Sequence, residues 1–382
     1  MPRPYGDVVD VREIARLRLR NQRLVGASAA DPSAVVGWFG AMQAQEHAIA
    51  KWSIGQRAPG LDEAAVQRAL DDGAILRTHA LRPTWHFIAA ADLRWIQALT
   101  GPRVHAFNGY YNRQHGLDDA LAARASAVFS EALRGGHYRT RAELGELLIE
   151  AGLPPATGNK LAYVVMRAEL DGLIASGPRR GKQHTYALVS ERAPTQTVLE
   201  GDAALAELTR RYFASHGPAT VKDFAWWSSL TLTQVRHGIA LLGGELETVD
   251  VDGLRYLWSP ATVDAAGATP AAQVLQAYDE YVIAYTESRA VANAAGLPLN
   301  PGDENTTVHA VIVDGQLVAL WRRHTRDAAI IATVRLLRPL TTRQRREIDA
   351  AFARYAAFAG VPVHVELHRP ADGTGNRGGR AD

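Results

Sequence analysis

The sequence predicts a mainly helical α+β fold. In it a unit of three helices and a two-stranded hairpin recurs three times, ahead of a strand-rich, β-barrel-like C-terminal region. Three observations carry that expectation. Apolar residues recur at helical spacing through much of residues 10–242. Each group of helices is followed by two short extended stretches joined by turn residues. Beyond residue 270 the balance reverses, and strand patterns outnumber helical ones.

In the first unit a helix over 10–24 carries Ile14, Leu17 and Leu24 on one side. Asp31-Pro32 opens a second helix, with Asp as N-cap and Pro at the first helical position. The third helix starts at Asp62 and stops at Gly73, which can serve as its C-terminal cap. Strands 74–79 and 84–88 follow, turned by Leu81-Arg82-Pro83. The second unit has helices over 118–134, from Thr140 to Gly152, and over 158–171. Its strands, 173–176 and 185–189, are joined by the basic loop 177–183. The third has helices near 200–215, 220–229 and 231–242, then strands 245–251 and 254–258 turned by Asp252-Gly253, a hairpin dipeptide.

After 270, strands are expected over 307–313, 316–322, 329–337 and 361–367, with one helix over 342–358. Residues 286–306 read as a long loop, and loops of that length usually carry function or move. The tail 369–382, rich in Gly and Arg, reads as disordered. These patterns divide the chain at 1–100, 101–192, 193–269 and 270–368. Three helices plus a two-stranded wing is the winged helix-turn-helix arrangement, which docks on DNA and also serves as a protein-interaction module.

Composition narrows the chemistry. With 382 residues, 47% of them hydrophobic, the chain can bury a large core. It has no cysteine, which excludes disulfides and thiolate chemistry. Its start lacks an apolar signal core, and no run reaches the ~18 apolar residues of a membrane span. A soluble, cytoplasmic protein is therefore expected. Net charge is only +2, but arginines cluster, as at Arg179, Arg180 and Lys182, and at Arg322, Arg323 and Arg326. There is no GxGxxG, no GxxxxGK[ST], no HExxH and no GxSxG motif.

Four segments stand out. Gln43-Ala44-Gln45-Glu46-His47 closes the second helix of unit one. Side chains at i and i+2 share a face only on extended backbone, so the glutamines can act together only if the helix ends by about Gln43. In the block from Arg77 to Phe87, Thr84 and His86 share one strand face and Trp85 and Phe87 the other. Arg82, Thr84 and His86, with Arg77, then make a polar ridge beside the glutamines. The wing tip holding Arg179, Arg180, Lys182 and Gln183 suits phosphates, because glycines let the main chain approach. Asp279 to Tyr285, alternating acid and Tyr, reads as a strand-like turn anchoring a domain joint.

Together these segments resemble the AlkZ-like and YcaQ-like family of winged-helix DNA glycosylases. The resemblance runs from about Arg12 to about Leu367. Its strongest stretches are Gln43/Gln45, Arg82-Pro83-Thr84-Trp85-His86 followed by 89–95, the 179–186 wing, the 279–289 block and 318–322. The family usually has Gly where Pro83 and Ala284 stand; Pro83 stiffens the turn. YcaQ-like members carry Asp at the second motif position, so Gln45 points to the AlkZ-like branch.

The resemblance implies catalysis by Gln43 and Gln45, which position water and stabilise the sugar cation. It implies no metal or organic cofactor and a double-stranded DNA substrate; a monomer is the default expectation. The implied substrate is a cationic N7-alkylguanine, including bulky antibiotic adducts and interstrand crosslinks, removed in base excision repair and self-resistance. His47 joins the same pocket. Arg77, Arg82, Thr84 and His86 shape its floor or touch the backbone, and Arg179, Arg180, Lys182 and Gln183 hold phosphates. The 286–306 loop or Thr306-Thr307 probes the minor groove. Two other readings fit the same elements: a transcription regulator without catalysis and a protein-binding scaffold.

Overall fold

The computed structural model describes residues 10–26, 29, 31–153, 157–260, 272–299 and 308–368. Local signals place most helices where the pattern expects them. Asp10, Asp31, Asp62 and Asp118 each accept a hydrogen bond from the backbone N–H three residues on, opening helices Val11–Asn21, Pro32–Phe39, Glu63–Asp71 and Asp119–Leu133. Thr140, Thr220 and Thr231 close reciprocal capping boxes at the starts of Arg141–Glu150, Val221–Ser228 and Leu232–Leu241. The order helix, helix, helix, hairpin is present twice outright. It runs through Asp119–Leu133, Arg141–Glu150 and Gly158–Leu170 to strands Ile174–Ser176 and Thr185–Leu188. It runs again through Gly201–Ser215, Val221–Ser228 and Leu232–Leu241 to Glu247–Val251 and Leu254–Trp258.

The first region departs from the pattern. The second helix stops at Phe39, because Gly40 takes φ +79°, a conformation open to glycine. The chain then runs extended, and an unexpected helix, His47–Gly55, follows. A second unexpected element is the 22-residue helix Leu93–Gln114.

The C-terminal strands do not close into a barrel. Among the described residues they form an open five-stranded sheet, ordered Val363–His368, Ala329–Leu336, Gln316–Arg326, His309–Val313, Ala272–Leu275. Only the first pair is parallel. Helix Thr342–Ala359 packs on one face through Ile348, Phe352 and Tyr355. Residues 280–283 form a short helix rather than a strand. Of the expected long loop, residues 289–293 make a 3-10 turn, with Val291 buried beside Ile14 and Tyr256. Residues 300–307, with Thr306 and Thr307, and the tail 369–382 lie outside the described residues.

The two ends of the chain share one hydrophobic core. Val36, Phe39 and Trp52 pack with Val274, Trp321, Phe352 and Phe358. The Trp52 indole N–H donates to the Val274 carbonyl at 2.7 Å. Gly55 lies so close to Phe358 that a Cβ there would fall 2.3 Å from the ring. A sealed Arg57–Asp279 ion pair, with both contacts at 2.8 Å, pins the same junction. The Gln-x-Gln segment is therefore held by residues from both ends of the sequence.

Candidate active site and nucleic-acid cleft

Met42 and Gln43 form an edge strand against the first hairpin, with Gln43 opposite His86. An edge strand leaves outward backbone groups that need partners. The Gln43 N–H donates to the Glu280 carboxylate at 2.7 Å. Ala44 still pairs with the Trp85 carbonyl at 2.7 Å. One residue on, the ladder is finished by a side chain: the Trp85 N–H points to Gln45 Oε1 at 3.4 Å. Arg77 lies across the segment, donating to the carbonyls of Ala44 (3.0 Å) and Gln45 (3.3 Å). Its guanidinium rests 4.1 Å from the centre of the Trp85 ring.

The two glutamines end in opposite surroundings. Gln45 is exposed and lines an open cleft of about 770 Å³. Gln43 is 6% exposed, and its Oε1 accepts from Arg82 at 2.6 Å. The cleft runs along the Arg77 and Trp85 face of the hairpin, not the His86 face. His86 is sealed and Arg82 nearly so, which corrects the expected polar ridge. Thr84 is half-buried, its hydroxyl enclosed without a partner. The cause is the packing of the 216–227 and 280–283 segments over this face. Glu280 Oε2 accepts from His216 (3.1 Å) and the Trp227 indole (2.9 Å). Burial would raise the Glu280 carboxyl, but His216, the Gln43 amide and Arg82 outweigh it and hold it at about 2. Burial also lowers His86 to about 3, with Arg82 adding to the effect. Around Gln43 the environment is thus a buried carboxylate, a buried guanidinium and the imidazoles of His86 and His216.

The opposite wall of the cleft comes from helix 141–150 (Arg141, Glu146, Ile149) and from the second hairpin. Lys182 and Gln183 line it, their side chains without hydrogen bonds among the described residues. Arg179 and Arg180 do not. Arg180 pairs with Glu143 at 2.7 Å, and Arg179 donates to the Lys182 carbonyl at 2.8 Å. His47 lines the cleft with His184, ring centres 4.6 Å apart. Burial, then His184, Arg77 and Lys51, lower His47 to about 2; burial and Arg77 lower His184 to about 4. Both are neutral at pH 7, so the positive charge here is Arg77, Arg141 and Lys182. Burial lowers Arg77 only to about 10.

Sequence reading missed Glu280 as a partner of the motif, since nothing local links residues 43 and 280. It also missed Glu46, a half-buried acid next to Gln45 whose carboxyl is raised by burial, with Arg323 opposing. Arg323 sits on the long hairpin Gln316–Arg326/Ala329–Leu336, which brings this one arginine toward the motif. No described helix is long and apolar enough to cross a membrane.

The family model described as DNA glycosylase AlkZ-like matches residues 36–358. A curated relative from Streptomyces sahachiroi, an interstrand DNA cross-link repair glycosylase, is 25% identical over 93% of this chain and 98% of its own length. The solved structure of Streptomyces sahachiroi DNA glycosylase AlkZ superposes with a TM-score of 0.75 at 20% identity. It covers 95% of this chain and all of its own, and shows the same fold. A regulator without catalysis is not favoured by these relationships. With the match spanning both ends of the shared core and the cleft between them, the chain belongs to the AlkZ-like DNA glycosylases and is an N-glycosylase acting on DNA.

Proposed function

We propose that this glycosylase hydrolyses the N-glycosidic bond of cationic N7-alkylguanine in double-stranded DNA, including bulky antibiotic adducts and interstrand crosslinks, as a monomer. The three helix-and-hairpin regions act as winged-helix modules around the cleft. The observation that carries the reading is Gln45: a neutral amide exposed in a wide, open cleft beside Arg77 and Lys182.

An N7-alkylated guanine already bears positive charge, so the base leaves readily and acid catalysis contributes little. What remains is an oxocarbenium-like sugar, as in glycoside hydrolysis. It needs a placed water and oriented dipoles more than a proton donor. A carboxamide supplies donor and acceptor without carrying charge. Gln45 meets the nucleotide directly. Gln43 stands behind it, its carbonyl held by Arg82, so its NH2 group is the end left to orient water. His47 lines the pocket as a neutral ring, and Lys182 and Gln183 take phosphates. An open cleft suits a base too bulky to be flipped into a deep pocket.

The test is release of free base from DNA carrying N7-methylguanine or a bulky N7 adduct. The wild type releases it. Gln45→Ala lowers the single-turnover rate about 10²-fold or more, a magnitude typical of losing one oriented dipole at a reacting centre. Its thermal unfolding stays near that of the wild type. Full activity in Gln45→Ala and Gln43→Ala would remove the glutamines from the mechanism.

A further inference from the structure

Four Phe, Tyr or Trp side chains are exposed among the described residues, and three of them lie on one helix. Phe107, Tyr110 and Tyr111 are 56%, 57% and 47% exposed; the fourth is Trp226, at 50%. On helix Leu93–Gln114, positions 103, 107, 110, 111 and 114 fall on one stripe. Apolar surface of this kind on a protein with a large core marks a binding site more often than an accident.

The stripe is ordered internally. Tyr111 stacks nearly parallel to Tyr163, ring centres 5.5 Å apart, and stands edge-on to Tyr110. The Tyr110 hydroxyl accepts from Gln114 at 2.5 Å. Arg103 lies 5.6 Å from the centre of the Phe107 ring and donates to the Ser229 carbonyl at 3.2 Å. That bond ties the stripe to the end of the helix bearing Trp226, which stands 5.5 Å from the Arg82 guanidinium. The helix carries three arginines and not one acidic side chain. In a chain with nearly balanced charge, that absence selects an anionic partner over a basic one.

Exposed planar rings interleaved with arginine are the surface on which unpaired bases stack while their phosphates meet guanidinium groups. We propose that Phe107, Tyr110 and Tyr111, with Arg103 and Arg113, form a stacking strip for single-stranded DNA. A duplex hides its base faces and finds only the arginines there. The strip therefore takes a strand with unpaired bases, such as one opened beside a bulky lesion, outside the cleft that holds the damaged nucleotide.

The experiment measures binding of the full-length protein to labelled oligo(dT) and to a blunt duplex of equal length, by fluorescence anisotropy at fixed salt. Substituting Phe107→Ala, Tyr110→Ala and Tyr111→Ala together lowers oligo(dT) affinity about tenfold or more, given the usual strength of base–aromatic stacking. Duplex affinity and base release stay within about twofold. Because the rings are exposed, the variant keeps the wild-type circular dichroism and melting temperature. Tyr110→Trp, which keeps a ring, retains oligo(dT) binding and serves if the triple variant is unstable. An unchanged oligo(dT) affinity overturns the proposal, as does an equal loss on both DNAs. A wild-type dimer that the triple variant abolishes also overturns it, by showing that the strip is a protein interface. A wild type that binds oligo(dT) but releases no modified base strikes the cleft reading instead and leaves the strip standing.

Discussion

Gln43 and Gln45 are two residues apart and have the same side chain, yet one faces a buried ion cluster and the other open solvent. The difference comes entirely from what packs on each face of the first hairpin. Over Gln43 lie Glu280, His216 and Trp227, each from distant sequence. Over Gln45 lies nothing but the cleft. The lesson is that one short motif faces two environments: its buried half is tied into an ion cluster, and its exposed half lines the cleft. If so, perturbing the buried half costs stability first, whereas perturbing the exposed half costs activity alone. Glu280→Ala makes the largest difference. It strands the Gln43 N–H, the Trp227 indole and His216, and leaves Arg82 without its buried counter-charge. Breaking a buried charge network in this way costs about 3–5 kcal/mol. Denaturant unfolding should show that loss, together with lost activity. A Glu280→Ala protein as stable as the wild type would mean that the buried half of the motif needs no such anchor.

How much of this was legible in the sequence varies with how local the signals are. The 201–258 region was read nearly residue by residue, because its boundaries are written in caps and turns: Thr231 with Gln234, and Asp252-Gly253 with positive φ at both positions. Helix His47–Gly55 was missed because its N-cap, Glu46, makes no capping bond to announce it. The strand Met42–Gln43 is two residues long and has no period of its own. The backbone condition set on the glutamines is met, since the chain leaves the helix at Gly40 and runs extended through Met42–Gln43. The buried side of the hairpin was not. Alternation tells which residues share a face, and only tertiary packing decides which face is covered. Charged Arg82 went inside because Glu280 supplies an anion that no local pattern predicts.

Acidification acts first on the buried face. His86 is sealed, with Arg82, Glu280 and His79 around it, and its folded value is lowered to about 3 from an ordinary 6.5. In the unfolded chain it binds a proton below about pH 6.5; in the fold it does not until about 3. Between those values the unfolded state holds more protons, so stability falls as pH falls. His47 and His184, lowered to about 2 and about 4, act in the same direction. Glu280, held at about 2, contributes stability above its unfolded value near 4.5 and loses it only as pH drops further. The window from 6.5 to 5 therefore reports histidines and the window below 4.5 adds Glu280. Replacing His86→Leu should flatten unfolding free energy against pH by up to about 1.4 kcal/mol per pH unit, the weight of one proton. An unchanged slope would show that His86 is not held neutral by the fold.

The smallest effect belongs to the exposed side, where the comparison repeats itself on the second hairpin. Arg180 and Lys182 are both exposed cations two residues apart. Arg180 already has Glu143 at 2.7 Å and the Tyr138 carbonyl at 2.9 Å, so meeting a phosphate means giving up an ion pair. Lys182 has no such partner among the described residues and lines the same cleft as Gln45. Each phosphate neutralised releases counterions, and the slope of log affinity against log salt counts those contacts at about 0.9 per phosphate on duplex DNA. Lys182→Ala should reduce that slope by about one contact without moving the melting temperature, while Arg180→Ala should change it less. The reverse ranking would mean that the Glu143 pair opens when DNA binds. Freedom from a partner would then be a poor guide to which cations in this cleft hold the backbone.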